Sequence, residues 1–160
     1  MMALEIRHLS PNDRDFVVRV LIQNWASTTI VTRGVAHQAD ELPGFVAVEG
    51  SERIGLVTYR IASGECEIIS LNSLVQGKGA GTALIEAVKN VAVSAGCARI
   101  CLVTTNDNTH ALRFYQRRGF ALVAIHRDAL EQSRRLKPEI PEVGIDGIPL
   151  RDEIELEMCL

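Results

Sequence analysis

The sequence predicts an α/β (α+β) fold, and three observations support this. A hairpin pattern occupies residues 45–61, and two helical patterns separate apolar strands between residues 66 and 125. An alternating strand follows at residues 153–160. Strands and helices that alternate in this way predict a sheet covered by helices. With 160 residues, the chain has the length of one domain, and we expect a single domain over residues 1–160.

The first part of the chain contains a strand, a helix and a hairpin. We expect a turn and helix cap at Ser10–Asp13, because Ser, Pro and Asn are favoured at such positions. Residues 26–44 show no regular pattern and are predicted to be irregular. The predicted elements are a strand at Leu4–Leu9, a helix at about Asp13–Trp25, and paired strands at Phe45–Val48 and Arg53–Ile61.

The second part alternates strands with helices and ends on a strand. Gly96 and Gly119 each follow a helical pattern, as C-terminal caps do, and Asn108 is a natural N-cap. The acidic and apolar residues that alternate at the end of the chain predict a half-exposed strand. The predicted strands are Cys66–Val75, Ala98–Thr104, Phe120–Ile125 and Glu153–Leu160, and the predicted helices are Gly81–Ala95, Asn108–Gly119 and Ala129–Lys137.

Composition excludes several classes of function. The net charge is −3 and the pI about 5.8, so no basic field indicates nucleic-acid binding. The charged N-terminal residues lack the apolar core of a secretory signal, and no apolar run reaches the length of a membrane span. The cysteines and histidines are scattered, with no Cys-x-x-Cys pair, so we expect reduced thiols, no metal and a cytoplasmic protein. The cysteines are Cys66, Cys97, Cys101 and Cys159.

A glycine-rich loop lies between a predicted strand and a predicted helix. It reads Gln76-Gly77-Lys78-Gly79-Ala80-Gly81. Glycine lets backbone N–H groups approach a phosphate closely, and the helix N-terminus adds a positive partial charge. A P-loop would require Gly-Lys-Ser or Gly-Lys-Thr, which the chain lacks. A dinucleotide fingerprint, G-x-G-x-x-G, would require a final glycine where the chain has Thr82 (counted from Gly77) or Leu84 (counted from Gly79). The loop therefore predicts a phosphorylated cofactor, and the broken spacing disfavours a dinucleotide.

Two motifs in this order resemble those of the GNAT (GCN5-related N-acetyltransferase) superfamily. Gln76-x-x-Gly79-x-Gly81 resembles its acyl-CoA-binding motif. Residues 108–120 resemble its N-x-x-A-x-x-(F/L)-Y-x-x-x-G-F segment. The resemblance covers roughly residues 54–126. It implies a mixed, mostly antiparallel central sheet of six to seven strands, flanked by helices, with a splayed central strand pair and an insert at about residues 127–152.

The resemblance also implies a cofactor, acetyl-CoA or coenzyme A, and the residues that hold it. Its pantetheine arm would lie along the strand before the loop, where Asn72-Ser73 is a plausible bulge site; the alternative is a plain strand with two polar residues. A backbone N–H near Leu74 or Val75 would polarise the thioester carbonyl. The predicted cofactor-binding residues are Leu74, Val75, Gln76, Gly77, Lys78, Gly79, Ala80, Gly81, Thr82 and Asn108.

Two residues are candidates for catalysis. The resemblance implies that Tyr115 protonates the leaving thiolate, since a phenol keeps its proton at neutral pH; the alternative is a tyrosine that only packs. Glu67 is the candidate general base, because alternation places it on the face of Ile69 and Leu71; the alternative is a charge at the rim of the sheet. Glu65 is a rival for the same role.

The function predicted from these features is transfer of an acetyl group from acetyl-CoA to a primary amine by direct attack in a ternary complex. The alternatives are a non-catalytic acyl-CoA-binding module of the same fold and, less favoured, a nucleotide-binding oxidoreductase. The acceptor would be a small-molecule or peptide amine, with no nucleic acid or membrane as partner, and the last strand could serve a homodimer. Near the expected acceptor pocket lie basic residues that could bind an acidic acceptor or be solvated surface: Arg33, His37, Arg134, Arg135 and Lys137.

Overall fold

The computed structural model describes residues 2–160, and its main feature is a seven-stranded, mostly antiparallel sheet with four helices. The strand order is β1-β4-β5-β6-β7-β9-β8, and β2 and β3 form a separate two-stranded sheet. This confirms the predicted fold class. The strands are β1 (Leu4–His8), β2 (Thr29–Thr32), β3 (Val35–Gln38), β4 (Gly44–Glu49), β5 (Glu52–Ala62), β6 (Glu65–Ser73), β7 (Arg99–Thr105), β8 (Ala121–His126) and β9 (Glu153–Cys159). The helices are α1 (Arg14–Trp25), α2 (Ala80–Ser94), α3 (Thr109–Arg117) and α4 (Ala129–Leu136).

The described residues group into two compact units. The first contains residues 2–30, 38–100 and 160, and the second contains residues 31–37 and 101–159. The single domain predicted from the chain length stays a prediction.

In the first unit, α1 packs against the sheet through one apolar face. Phe16, Val17, Val20 and Leu21 recur at the spacing of a helix and are buried. They form one cluster with residues of the strands, namely Val46, Leu56 and Ile69, together with Ile30 and Ala39. This cluster is the apolar core of the unit on the α1 side of β4, β5 and β6.

The start of α1 is fixed by a buried carboxylate. Asp13 accepts hydrogen bonds from both terminal nitrogens of Arg7 (2.8 and 2.9 Å) and from Nε of Arg53 (2.8 Å). It also accepts a bond of 2.8 Å from the backbone N–H of Ser10, as a capping box does. These bonds, those of Arg7 first, hold the pKa of the Asp13 carboxyl well below its usual range. The turn and cap predicted at Ser10–Asp13 therefore also tie β1 and β5 to α1.

In the second unit, the segment between α4 and β9 is held by side chains from outside it. Arg134 donates to the carbonyl oxygens of Pro141 (2.7 Å) and Leu150 (2.6 Å). Asn106 Oδ1 accepts the N–H groups of Arg151 (3.0 Å) and Asp152 (2.9 Å). Such bonds satisfy backbone groups that no helix or strand pairs, so the predicted insert has a defined path.

Residues 26–44, predicted to be irregular, contain a hairpin. β2 and β3 meet at a turn where Arg33 has φ +49° and Gly34 φ +75°, and Thr32 Oγ1 lies 2.9 Å from His37 Nε2 across the pair. The tip is fixed by a bond of 3.2 Å from the Arg33 N–H to Glu153 Oε1. The β-branched run Thr29 to Thr32 before Gly34 was the available signal, but an Arg-Gly turn lacks the Asn or Asp that marks such hairpins.

The last strand also differs from its prediction. β9 lies between β7 and β8 in the sheet order, and it is not the half-exposed strand that the alternation predicts. Its acidic residues Glu153 and Glu155 are 3% and 7% exposed, and Glu155 Oε1 lies 3.0 Å from Nε2 of His126 on β8. Alternation identified the strand correctly, but the charged positions are buried because each carboxylate has a polar partner.

Candidate active site

The glycine loop adopts a conformation that only glycine tolerates well. β6 ends at Ser73 and α2 begins at Ala80, so the strand stops two residues before the predicted Val75. Between them, Gly77 and Gly79 have φ values of +78° and +74°, the left-handed region. A Cβ built on either residue would meet no atom within 4 Å. Protein packing therefore does not explain these two glycines, whereas the positive φ that the turn requires does.

The N-terminus of α2 offers donors to an anion. Its first turn consists of uncharged residues, Ala80 to Ala83, and the Ala83 N–H donates to Gly79 O at 3.0 Å. The N–H groups of Ala80 and Gly81 belong to the first turn, where amides have no acceptor within a helix, and the helix dipole adds a positive partial charge. Lys78 adds a cation whose Nζ lies 3.4 Å from Glu49 Oε2 and whose side chain is 43% exposed.

The residues that lead into the loop narrow the choice of an oxyanion donor. Both Leu74 and Val75 are exposed, at 46% and 38%. The Leu74 N–H donates to Ile54 O at 2.8 Å, so this amide already has an acceptor. The Val75 carbonyl accepts a bond of 3.2 Å from Ser73 Oγ. Of the two predicted amides, that of Val75 is therefore the better candidate.

The bulge in β6 lies at Ile69. In the β5–β6 ladder Thr58 pairs with Ser70 and Tyr59 with Ile68, so Ile69 is the extra residue. The bulge predicted at Asn72-Ser73 is wrong, because both residues keep regular partners on β5. The physical reason is packing: Ile69 is 6% exposed and belongs to the apolar cluster under α1. Sequence reasoning placed the bulge at the polar residues instead.

The bulge also changes the surroundings of Glu67. Glu67 pairs with Arg60, which lies two residues from Thr58, the partner of Ser70. Glu67 therefore shares a face with Ser70 and not with Leu71, since side chains alternate along β5. The predicted alternation is wrong here, because one extra residue reverses the faces that follow it. Glu67 is 3% exposed, and Thr58 Oγ1 and Ser70 Oγ on its face lie 2.6 Å apart.

Glu65, the rival base, is engaged by an arginine. Arg99 Nε and Nη2 lie 2.9 and 2.8 Å from Glu65 Oε2. The pair is about a quarter exposed on both sides. A carboxylate oxygen held by a guanidinium is a poor proton acceptor, so this contact weakens the case for Glu65 as the base.

The second unit presents Tyr115 on α3. Asn108 caps this helix, as predicted, by accepting the Ala111 N–H at 3.1 Å. Tyr115 is 9% exposed, and its ring packs edge-on against Phe114 (5.1 Å) and Phe120 (5.5 Å). Burial raises the pKa of the Tyr115 phenol above its ordinary value. The hydroxyl therefore keeps its proton throughout the neutral range.

The sequence matches a known protein family. The sequence profile of a family described as the acetyltransferase (GNAT) family matches residues 11–120. The chain belongs to the GNAT acetyltransferase family. It is 49% identical over 133 residues to YdhI of Bacillus subtilis, described as an uncharacterized protein, and the match covers 82% of this chain and 83% of YdhI. Family membership supports acyl transfer as its general chemistry.

Solved structures share the GNAT fold. An IAA acetyltransferase from Bacillus cereus superimposes with a TM-score of 0.76 at 23% identity, over 99% of this chain and 100% of that one. A Bacillus subtilis acetyltransferase in complex with CoA superimposes with a TM-score of 0.68 at 19% identity, over 100% and 99% of the two chains. At these identities the likeness establishes the fold.

Within this GNAT chain, the candidate residues fall into two groups. Glu67 and the residues from Leu74 to Thr82 lie in the first unit, where β6 leads directly into the loop. Asn108 and Tyr115 lie together on α3 in the second. Among residues 2–160, no helix is long and apolar enough to cross a membrane, and no three His, Cys, Asp or Glu side chains are placed to hold a metal.

The predicted basic set does not form one surface. Arg134 uses its guanidinium on carbonyl groups of the segment that follows α4. His37 is buried beside Thr32, and Lys137 is 5% exposed. Burial lowers the pKa of the Lys137 ammonium. The sequence shows which residues are basic. It does not show whether a basic side chain is solvated or, like that of Arg134, donates to backbone carbonyl groups.

Proposed function

We propose that this protein is an N-acyltransferase that moves an acetyl group from acetyl-CoA to a primary amine in a ternary complex. The observation that carries the proposal is the loop with Gly77 and Gly79 at positive φ, open in front and followed by the N-terminus of α2. In a GNAT family member, such a loop is suited to bind a pyrophosphate. The backbone N–H groups of residues 76–82 would donate hydrogen bonds to it. A protein of the same fold in complex with CoA supports the choice of cofactor.

The thioester would be activated by backbone. The Val75 N–H is our proposed donor to its carbonyl oxygen, since the Leu74 N–H is already donated to Ile54. A fixed amide that points at a developing oxyanion lowers the barrier, because it needs no reorganisation during the reaction. Asn108 caps α3 through Oδ1, and its side-chain amide group would contact the cofactor.

The acceptor amine must lose a proton as its nitrogen attacks. Glu67 would take this proton, directly or through a water molecule. Its burial at 3% exposure and the commitment of Glu65 to Arg99 support this assignment. The new C–N bond forms as the carbonyl becomes tetrahedral, and the C–S bond then breaks to release the CoA thiolate.

The thiolate would be protonated by Tyr115. Burial raises the pKa of the phenol, so the group keeps its proton throughout the neutral range. A phenol with a raised pKa is a weak acid, so its main contribution would be a hydrogen bond to the sulfur as negative charge develops there. The proton then follows, and solvent restores it.

A thiol-release assay with acetyl-CoA and a panel of small-molecule and peptide amines tests the proposal. Release of CoA thiol that depends on one class of amine, with a matching acetylated product by mass spectrometry, is the expected result. Calorimetry with CoA and with NAD gives the control. Tight binding of CoA with no thiol release for any amine would instead indicate a binding module, and binding of NAD in its place would overturn the cofactor assignment.

A further inference from the structure

One buried polar atom lacks a partner. Among residues 2–160, Asn72 Oδ1 is the only buried side-chain oxygen or nitrogen that makes no hydrogen bond. Native proteins satisfy the large majority of such atoms, because a buried polar atom without a hydrogen bond destabilises the fold. An atom of this kind on the strand that leads into the glycine loop points to a ligand.

The strand neighbours of Asn72 explain why the protein offers it no bond. Asn72 pairs with Leu56, which is fully buried in the apolar cluster under α1. The next polar residue on the same face, Ser70, has its hydroxyl 2.6 Å from that of Thr58.

The position of Asn72 along the strand indicates which ligand group meets it. Asn72 lies five residues before Gly77 and five after Glu67. At about 3.3 Å per extended residue, Asn72 is about 16 Å along the strand from Glu67, and the strand ends one residue after Asn72, just before the loop. An amine that reacts beside Glu67 is therefore too far away to contact Asn72. An arm that extends from a pyrophosphate at the loop toward Glu67 passes it.

We propose that Asn72 Oδ1 accepts a hydrogen bond from an amide N–H of the pantetheine arm of bound CoA or acyl-CoA. The inference rests on the proposed function, because it requires CoA at the glycine loop. The amide N–H groups of the arm are the donors that an isolated carbonyl oxygen in an apolar strand needs. Asn72 would thus be a cofactor-positioning residue that sets where the thioester stops.

Calorimetry with two ligands tests this. The probes are CoA and its phosphoadenosine diphosphate half, which lacks the arm. In Asn72→Ala we expect CoA affinity to fall about fivefold to tenfold, the effect of one hydrogen bond, and nucleotide affinity to stay unchanged. Equal CoA affinity in the wild type and the variant overturns the inference alone. A wild type that binds no CoA overturns the proposed function and this inference with it.

A second variant separates ligand binding from folding. Asn72→Leu fills a similar volume and removes the unsatisfied oxygen, so the unliganded protein should have an equal or higher Tm. The increase in Tm on adding CoA should be smaller than in the wild type, because the bond to the arm is missing. A lower Tm of both unliganded variants, or parallel losses of affinity for both probes, would show a structural role and refute the proposal.

Discussion

Arg99 holds Glu65 through two nitrogens, with Nε and Nη2 at 2.9 and 2.8 Å from the same carboxylate oxygen. Glu67, two residues further along β6, pairs with Arg60 on β5 and is almost fully buried. Two acidic residues that are equivalent in the sequence thus have different surroundings. Their substitution should separate a structural carboxylate from a reacting one.

Glu67→Gln should lower kcat and leave the affinity for acetyl-CoA unchanged. The amide keeps the size of the side chain but cannot take a proton from the amine. The loss should shrink as the pH rises, because more of the amine is then neutral. Steady-state kinetics over a range of pH measures this. Glu65→Gln is the matched control and should retain kcat while lowering Tm. Wild-type kcat in Glu67→Gln at neutral pH would remove this residue from the mechanism.

Gly79→Val should reduce CoA affinity at least about tenfold, or about 1.4 kcal/mol, while the protein still folds. The side chain would occupy the open space in front of the loop and strain a residue at φ +74°. Gly96→Val is the control, since Gly96 has φ +75° and equally open surroundings at the end of α2. Both variants should lose similar stability, and calorimetry should find weak CoA binding only in Gly79→Val. Equal CoA affinity in the two would refute the assignment of the loop.

Tyr115→Phe should lower kcat about 100-fold or more without weakening CoA binding. Only the hydroxyl is removed, so the packing against Phe114 and Phe120 is kept. Burial raises the pKa of the phenol, so the protonated, active form persists to higher pH than for a free tyrosine. Deprotonation of Tyr115 should therefore not lower the wild-type rate below about pH 10. Rates within about threefold of wild type would place the acid elsewhere.

Asp13→Asn should destabilise the fold by about 1.5–3 kcal/mol, the range for hydrogen bonds to charged groups, because the arginine partners are about one third exposed and can be rehydrated. The partners Arg7 and Arg53 would lose their shared acceptor. The pKa of Asp13 is lowered in the folded state, so its stabilisation is complete above the unfolded pKa of about 3.9 and is lost as the pH falls further. Urea unfolding at pH 7 and pH 3 checks this: the difference between wild type and Asp13→Asn should shrink at pH 3. An undiminished difference would contradict the pKa assignment.

Local patterns predicted most of the fold. The predicted helix ends at Gly96 and Gly119 and the predicted N-cap at Asn108 are confirmed, because each depends on only a few neighbouring residues. The glycine loop was placed correctly for the same reason. Glu65 and Glu67 could both be identified from the sequence as candidate bases, but the sequence did not show how their surroundings differ.

Long-range pairing was what the sequence could not supply. The bulge at Ile69 depends on a core formed with α1, and the burial of Glu153 depends on an N–H from Arg33. The engagement of Glu65 by Arg99 likewise joins residues 34 positions apart. Such contacts override alternation and charge, because burial and a specific partner are worth more than local preference.

The junction between β7 and α3 has three consecutive residues with different fixed partners. Asn106 binds the backbone at Arg151 and Asp152, Asp107 accepts the Ile145 N–H at 2.8 Å, and Asn108 caps α3. Inserting or deleting one residue here would displace all three at once. Among relatives of this protein, length changes should therefore accumulate in other connections, and this junction should keep its length even where its residues are exchanged.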